Sequence, residues 1–377
     1  MRLRICRVAV AGLLAALGVI PGRGSAQVQW KDLVFTLGSS LDGYSGNFSA
    51  VTVSVVDTTK AAVAVAGELG ARGTLSLYRS ATGHRSLEWS FDGGMRQAAA
   101  FGFRSLDYSP RELAGNTALS WQQSVGTWGY LTLRGAYRAR TVKDRPPMPL
   151  FLQPGYDNPR GSLHLDTRSF DGVSFDATLD MESADYKATE FIPQLDLLDR
   201  KSAGIEMGAR WGGTSAMRFY MSARRTEYDK QGTFDASDPF RRDHTARVGL
   251  EWTYAGDIFT QVGLEGVVNR SNSDRPEYDA VSGRLLFQTP LPEELTLNVY
   301  AVLMAKSYIR TTGFALLVPG EEADNASAAY IQVTRPVSRN LDAAVRLGWT
   351  RAETNTGNAY YQRFGGSLQF NFRPNGG

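Results

Sequence analysis

Past residue 26, no window of the sequence approaches the roughly 20 consecutive apolar residues that a membrane-spanning helix needs, yet apolar residues return at every second position from one end to the other. Successive side chains on a strand point to opposite faces, so this period of two predicts two-faced strands. The tail is the clearest case. Phe364, Gly366, Leu368, Phe370 and Phe372 fall on one face, while Arg363, Gly365, Ser367, Gln369 and Asn371 fall on the other. The same alternation appears at Leu33, Phe35 and Leu37, at Val51, Val53 and Val55, and from Val63 through Leu77. It returns at Val173, Phe175, Leu179 and Met181, at Ile205, Met207 and Trp211, and at Leu297, Val299 and Leu303. Helical periodicity is weak throughout, and no linker or composition shift divides the chain.

The first 26 residues read differently. Arg2, Arg4 and Arg7 precede an apolar run from Val8 to Ile20, and Gly24-Ser25-Ala26 offers the small residues a signal peptidase requires. That is the pattern of a cleaved secretory signal peptide. Residues 27–377 are then the mature chain, expected as a single domain. The only cysteine, Cys6, lies in the leader, so the mature chain is expected to hold no disulfide and no cysteine metal site. The leader also accounts for the basic balance. Removing its four arginines leaves 37 of the 41 basic residues against 38 acidic ones, a net charge of −1, and no argument for a nucleic-acid partner survives.

The gaps between alternating segments differ in size. Short turn signals fall near 57–60, 92–94, 124–127, 170–172, 212–214, 255–257, 290–294 and 337–340. Longer polar gaps lie between them, at 142–158, 184–200, 229–243, 272–277 and 312–325. Short turns at one end and long loops at the other define a transmembrane antiparallel up-and-down β-barrel. Eight short turns imply about 18 strands, with 16 as the alternative. A soluble β-sandwich also alternates. Against it stand the length of the strands, the steady hairpin period, and the aromatics near strand ends: Trp128 and Tyr130, Trp211, Trp252 and Tyr254, Trp349, Tyr360 and Phe372.

The face opposite the apolar one is charged. Arg134, Arg138 and Arg140 share one strand, Asp176, Asp180 and Glu182 a second, and Arg218 and Arg224 a third. So many charges are too costly for a soluble core and too costly against lipid, at about 2–4 kcal/mol for a midplane Arg or Lys. They are therefore expected to line water. Strands of opposite sign give either a transverse field that screens solutes by charge or cross-strand pairs that stiffen the wall. The loop 142–158, with Pro146, Pro147, Pro149 and Pro154 beside Met148, Leu150, Phe151 and Leu152, reads either as a constriction folded into the lumen or as an ordinary surface loop. Enzymatic signals are weak. His84, His164 and His244 are far apart, no Gly-x-Ser-x-Gly occurs, and Asp235, Asp238 and Asp243 are too loosely spaced for a calcium loop. No catalytic residue, metal site or cofactor is expected.

With these residues in view, the chain resembles a bacterial outer-membrane β-barrel of porin-like type, over residues 31–372 and as a pattern rather than a motif. The sharpest local element of the resemblance is Phe364-Gly-Gly-Ser-Leu-Gln-Phe-Asn-Phe372, followed here by Arg373 to Gly377. The resemblance implies a bacterial outer-membrane location and a final strand read by the barrel-assembly machinery. It also implies a channel through which small polar solutes pass without catalysis, as a monomer or an oligomer in outer-membrane lipid. The alternative is a structural or export-partner barrel whose lumen is filled by another protein or a secreted polymer. The strand pattern begins at Leu33, a few residues past Ala26, which leaves no stretch for a plug or passenger domain. The final strand is expected to pair with the one near Leu33–Leu37 and close the barrel.

Overall fold

The structure, a computed structural model, describes residues 28–46, 62–101, 111–143, 155–188, 193–233, 235–273, 277–309, 327–353 and 360–374. Sixteen strands form a closed barrel in which each pairs with its neighbours in sequence. They are β1 (Gln29–Gly46), β2 (Ala62–Arg79), β3 (Arg85–Phe101), β4 (Arg111–Val125), β5 (Gly129–Lys143), β6 (Tyr156–Thr167), β7 (Val173–Tyr186) and β8 (Arg200–Gly212). The second half comprises β9 (Ser215–Gly232), β10 (Phe240–Ala255), β11 (Phe259–Ser271), β12 (Tyr278–Pro290), β13 (Thr296–Tyr308), β14 (Ser327–Ser338), β15 (Leu341–Glu353) and β16 (Tyr360–Phe372). Every pairing is antiparallel. A short 3-10 helix, Pro193–Leu198, lies in the connection from β7 to β8.

Sixteen is the lower of the two strand counts: β1 pairs directly with β2 as the next strand in the closed order, and the turn signal at 92–94 lies within a strand. Asp92-Gly93-Gly94 looks like a turn, but it sits inside β3, in register with Arg72, Ala71 and Gly70 on β2. A Cβ on Gly94 would lie 2.8 Å from the Leu69 carbonyl, so these glycines mark a close approach of backbones rather than a reversal of the chain. The true reversal is at 80–84, where Gly83 takes φ +72°. Residues 51–61, which carry the other early strand and turn signals, lie outside the described residues, as do 1–27.

The remaining short turns fall where their signals are. The hairpin between β6 and β7 is set by Asp171 (φ +50°) and Gly172 (φ +83°), while Phe170 and Val173 exchange backbone hydrogen bonds of 2.7 and 2.9 Å. Two consecutive left-handed residues match the right-handed twist of the flanking strands, and Asp-Gly supplies them at low cost. The seam closes as expected. β16 pairs with β1 through Phe372↔Phe35, Phe370↔Leu37 and Leu368↔Ser39, and Thr36 donates a 2.8 Å hydrogen bond to Asn371 across it.

The two faces separate cleanly. Large apolar side chains stand out on one parity of every strand; Leu347 is 65 % exposed and Leu264 61 %. Trp89, Trp128, Trp211, Trp252 and Phe372 are exposed near the short-turn end, where an aromatic belt belongs. Tyr130 departs from that belt. It lies on the polar parity, with the Arg168 guanidinium 5.9 Å from its ring centroid. The polar parity is the converging one: Asp42, Asn158, Ala64 and Ala66 are buried there. It forms the inner wall.

Candidate functional site

The inner wall is built on a rule that runs across strands rather than along them. In one lateral row, Asp176 on β7 faces Gly208 on β8, Gly208 faces Tyr220 on β9, Tyr220 faces Gly249 on β10, and Gly249 faces Glu265 on β11. Long side chains alternate with glycines. The glycines leave room for the long groups to lie flat across the intervening strand. The Tyr220 ring covers Gly249 and its hydroxyl donates a 3.0 Å hydrogen bond to Glu265. Arg218 bonds Asp176 from two strands away, at 2.6 Å through Nη2 and 3.0 Å through Nε, and takes Glu206 at 2.8 Å. A parallel row places Gly204 between Asp180 and Arg224, whose side chains meet at 2.5 Å over it.

Five of the eight charged residues singled out in the sequence therefore fall in two ion-pair clusters that tie β7 to β9. Asp176, Asp180 and Glu182 on β7 pair with Arg218 and Arg224 on β9, and Glu182 also takes Arg160 of β6 at 2.9 Å. Arg140 pairs with Glu112 on β4 at 2.8 Å. Arg134 and Arg138 are exposed and make no ion pair with a described residue. The row of acids on β7 thus turns toward β9 and β6, not toward β5. Arg72, Arg210, Arg247 and Arg284 are likewise exposed on the inner parity without a described ion-pair partner. Asp92, Asp166 and Glu251 also lie on the inner parity without a described ion-pair partner, so charge of both signs, with arginine the more numerous, faces the interior.

Sequence reasoning missed several members. Arg160 follows Pro159, which reads as loop, yet Pro159 lies within β6 opposite Tyr137. Arg96 of β3, which pairs with Asp42 and at 3.1 Å with Glu68, was hidden by the false turn at 92–94. The stretch 142–158 is also shared out. Val142 and Lys143 end β5, Tyr156 to Asn158 begin β6, and the constriction expected of residues 144–154 lies outside the described residues. His164 accepts or donates a 2.8 Å hydrogen bond with Thr178 on the next strand, an ordinary cross-strand pair. Among the described residues no group of three or more His, Cys, Asp or Glu could hold a metal ion.

The long-loop rim is tied together by side chains. Asp238, between β9 and β10, takes Arg242 on one oxygen and the Asn272 amide at 2.7 Å on the other. Those hydrogen bonds, Arg242 first, hold its carboxyl below the ordinary carboxylate range. A depressed folded-state value means the tie is fully present above the unfolded pKa and is lost as pH falls through the folded one. The Asn272 side-chain amide resonance is therefore expected to shift with a midpoint below that of a free aspartate near pH 4. A midpoint at or above that value would show that the contact is not formed.

No protein-family model matches the chain, and no curated protein matches it. Solved structures with a similar course include an anion-selective porin from Comamonas acidovorans, at 10 % identity and TM-score 0.44, over 92 % of this chain and 100 % of that one. The outer membrane channel DcaP of Acinetobacter baumannii shows 11 % identity and TM-score 0.42, over 94 % of this chain and 100 % of that one. The Salmonella typhi OmpF complex with daunomycin shows 11 % identity and TM-score 0.42, over 89 % and 97 %. Likenesses this distant carry no argument about the site. The fold is established by the closed ladder itself.

Proposed function

We propose that this chain is a bacterial outer-membrane channel that lets small polar solutes cross passively, screened by width and by the charge of its inner wall, without catalysis. Residues 1–26 direct export and are removed, and residues 27–377 form the one barrel domain, inserted into outer-membrane lipid by the barrel-assembly machinery. The observation that carries this reading is the division of faces: apolar and exposed outside, and inside a charged wall with Arg134 and Arg138 left unpaired by described residues. A wall of this kind has reason to exist only against water. Unneutralised cations in a confined aqueous path raise the local concentration of anions.

The test is planar-bilayer conductance of the refolded barrel. Stable open channels are expected, with an anion-to-cation permeability ratio above one. The double variant Arg134→Gln/Arg138→Gln is expected to lower that ratio by about twofold, because other inner cations remain. A barrel that never conducts would overturn the reading. An unchanged ratio in the double variant would remove these two residues from charge selection.

A further inference from the structure

Around the barrel from the ion-pair clusters, β13, β14 and β15 carry a different construction. Tyr300 and Tyr330 face each other in register on the inner parity, and their rings stack at 5.2 Å with 24° between planes. The Arg346 guanidinium lies over the Tyr330 ring, 4.6 Å from its centroid. Gln332 fixes that guanidinium, its carbonyl oxygen accepting from Nε at 2.8 Å and from Nη2 at 2.6 Å. The Gln332 amide nitrogen donates in turn to Thr334 at 3.1 Å, which sets which end of the amide faces the arginine.

The contrast with the other wall is in the charge. There, Arg218, Arg224 and Arg160 are held by carboxylates, which both orient and neutralise them. Arg346 is oriented as firmly by a neutral amide and a neutral ring, and it forms no ion pair with a described residue. A guanidinium presents five donors in a fixed fork. Gln332 engages two of its nitrogens on one edge, and the Nη1 donors have no described acceptor. Beside it on the same strand stands a glycine, Gly348, which adds no side chain to the wall. Gly348 faces Tyr330 in register, and a Cβ built on it would meet nothing closer than 3.7 Å. The Tyr300 and Tyr330 hydroxyls, which make no hydrogen bond to a described residue, add two further polar groups.

We infer that Arg346, preoriented by Gln332 and Tyr330 and flanked by Gly348, which adds no side chain, is an oxyanion-binding subsite on the inner wall, taking the carboxylate or phosphate group of a passing solute. The inference rests on the channel reading for its physiological meaning, and its binding chemistry does not require conduction. Charge-assisted hydrogen bonds to a preorganised fork are the strong ones. A single such anchor holds an anion weakly enough to release it.

The experiment uses the whole barrel refolded in detergent, so that no membrane current is needed. Line broadening of 13C-acetate and, separately, of 31P-phosphate reads binding of each probe. Wild type is expected to broaden at least one of them saturably, and which one identifies the solute class. Arg346→Gln is expected to weaken that binding about tenfold. Gln332→Glu keeps the arginine and its geometry but neutralises it, and is expected to weaken binding to a similar degree. Arg225→Gln, which removes an outward-parity cation, is the control and should leave binding unchanged. Equal binding in wild type and Gln332→Glu would overturn the inference, as would no saturable broadening by either probe. Binding in a barrel that does not conduct would remove the channel reading and leave the subsite standing. Conduction without binding would do the reverse.

Discussion

Replacing Leu264 by Arg is expected to destabilise the barrel in lipid by about 2–4 kcal/mol, the cost of an arginine on the lipid face near the midplane. Leu264 lies at the middle of β11 and is 61 % exposed on the apolar parity. In a water-soluble protein such a residue is a surface position, where a charge is tolerated or welcome. In a membrane it is the most hostile position available. Ser282→Arg places the same side chain on the neighbouring strand and the opposite parity, in register with Glu265. That change is expected to cost less than about 1 kcal/mol, because the group finds water and a carboxylate. Urea unfolding of both variants in phospholipid vesicles measures the pair. Equal costs would contradict the assignment of faces on which the membrane reading stands.

This assignment of faces is also the part of the structure most legible in the sequence. Period-two alternation is local, so Phe364, Leu368, Phe370 and Phe372 declare their face with no knowledge of a partner strand. The seam was legible too, since a chain of hairpins in a barrel must end beside its beginning, and Phe372 does face Phe35. Turns marked by residues that must take positive φ, such as Asp171-Gly172, were readable for the same local reason. The misreading at Asp92-Gly93-Gly94 shows the limit of local signals. Glycine marks a reversal when φ is positive and a close approach of strands when it is not, and the two look identical in a sequence. The pairing of charges lay further out of reach. Opposite signs on β5, β7 and β9 were visible. That the β7 acids turn toward β9, leaving Arg134 and Arg138 unpaired by described residues, depends on which intervening residues are glycine, and so on register two strands away.

That dependence gives the second large expectation, at Gly208. A Cβ there would lie 2.7 Å from Asp176 Oδ1 and 2.9 Å from Arg218 Nε, closer than non-bonded atoms approach. Gly208→Val must therefore push the carboxylate and the guanidinium apart, although valine favours strand backbone more than glycine does. Arg218 would lose its hydrogen bonds to Asp176, and both groups would be left part-buried without each other. Because both retain some access to water, the loss is expected near 1–3 kcal/mol rather than the larger cost of stranding a fully buried charge. Gly263→Val is the matched control. It lies on the same inner face, between Glu251 and Arg284 in register, but its nearest neighbours would stand 3.8 Å away. There the strand preference of valine meets no collision, and stability is expected to hold or rise slightly. A cycle with Asp176→Ala completes the argument. If Gly208 exists to let the pair cross β8, its replacement should cost much less once Asp176 is gone. The same penalty in both backgrounds, or in Gly208→Val and Gly263→Val alike, would mean that these glycines answer to the backbone and not to the charges that pass over them.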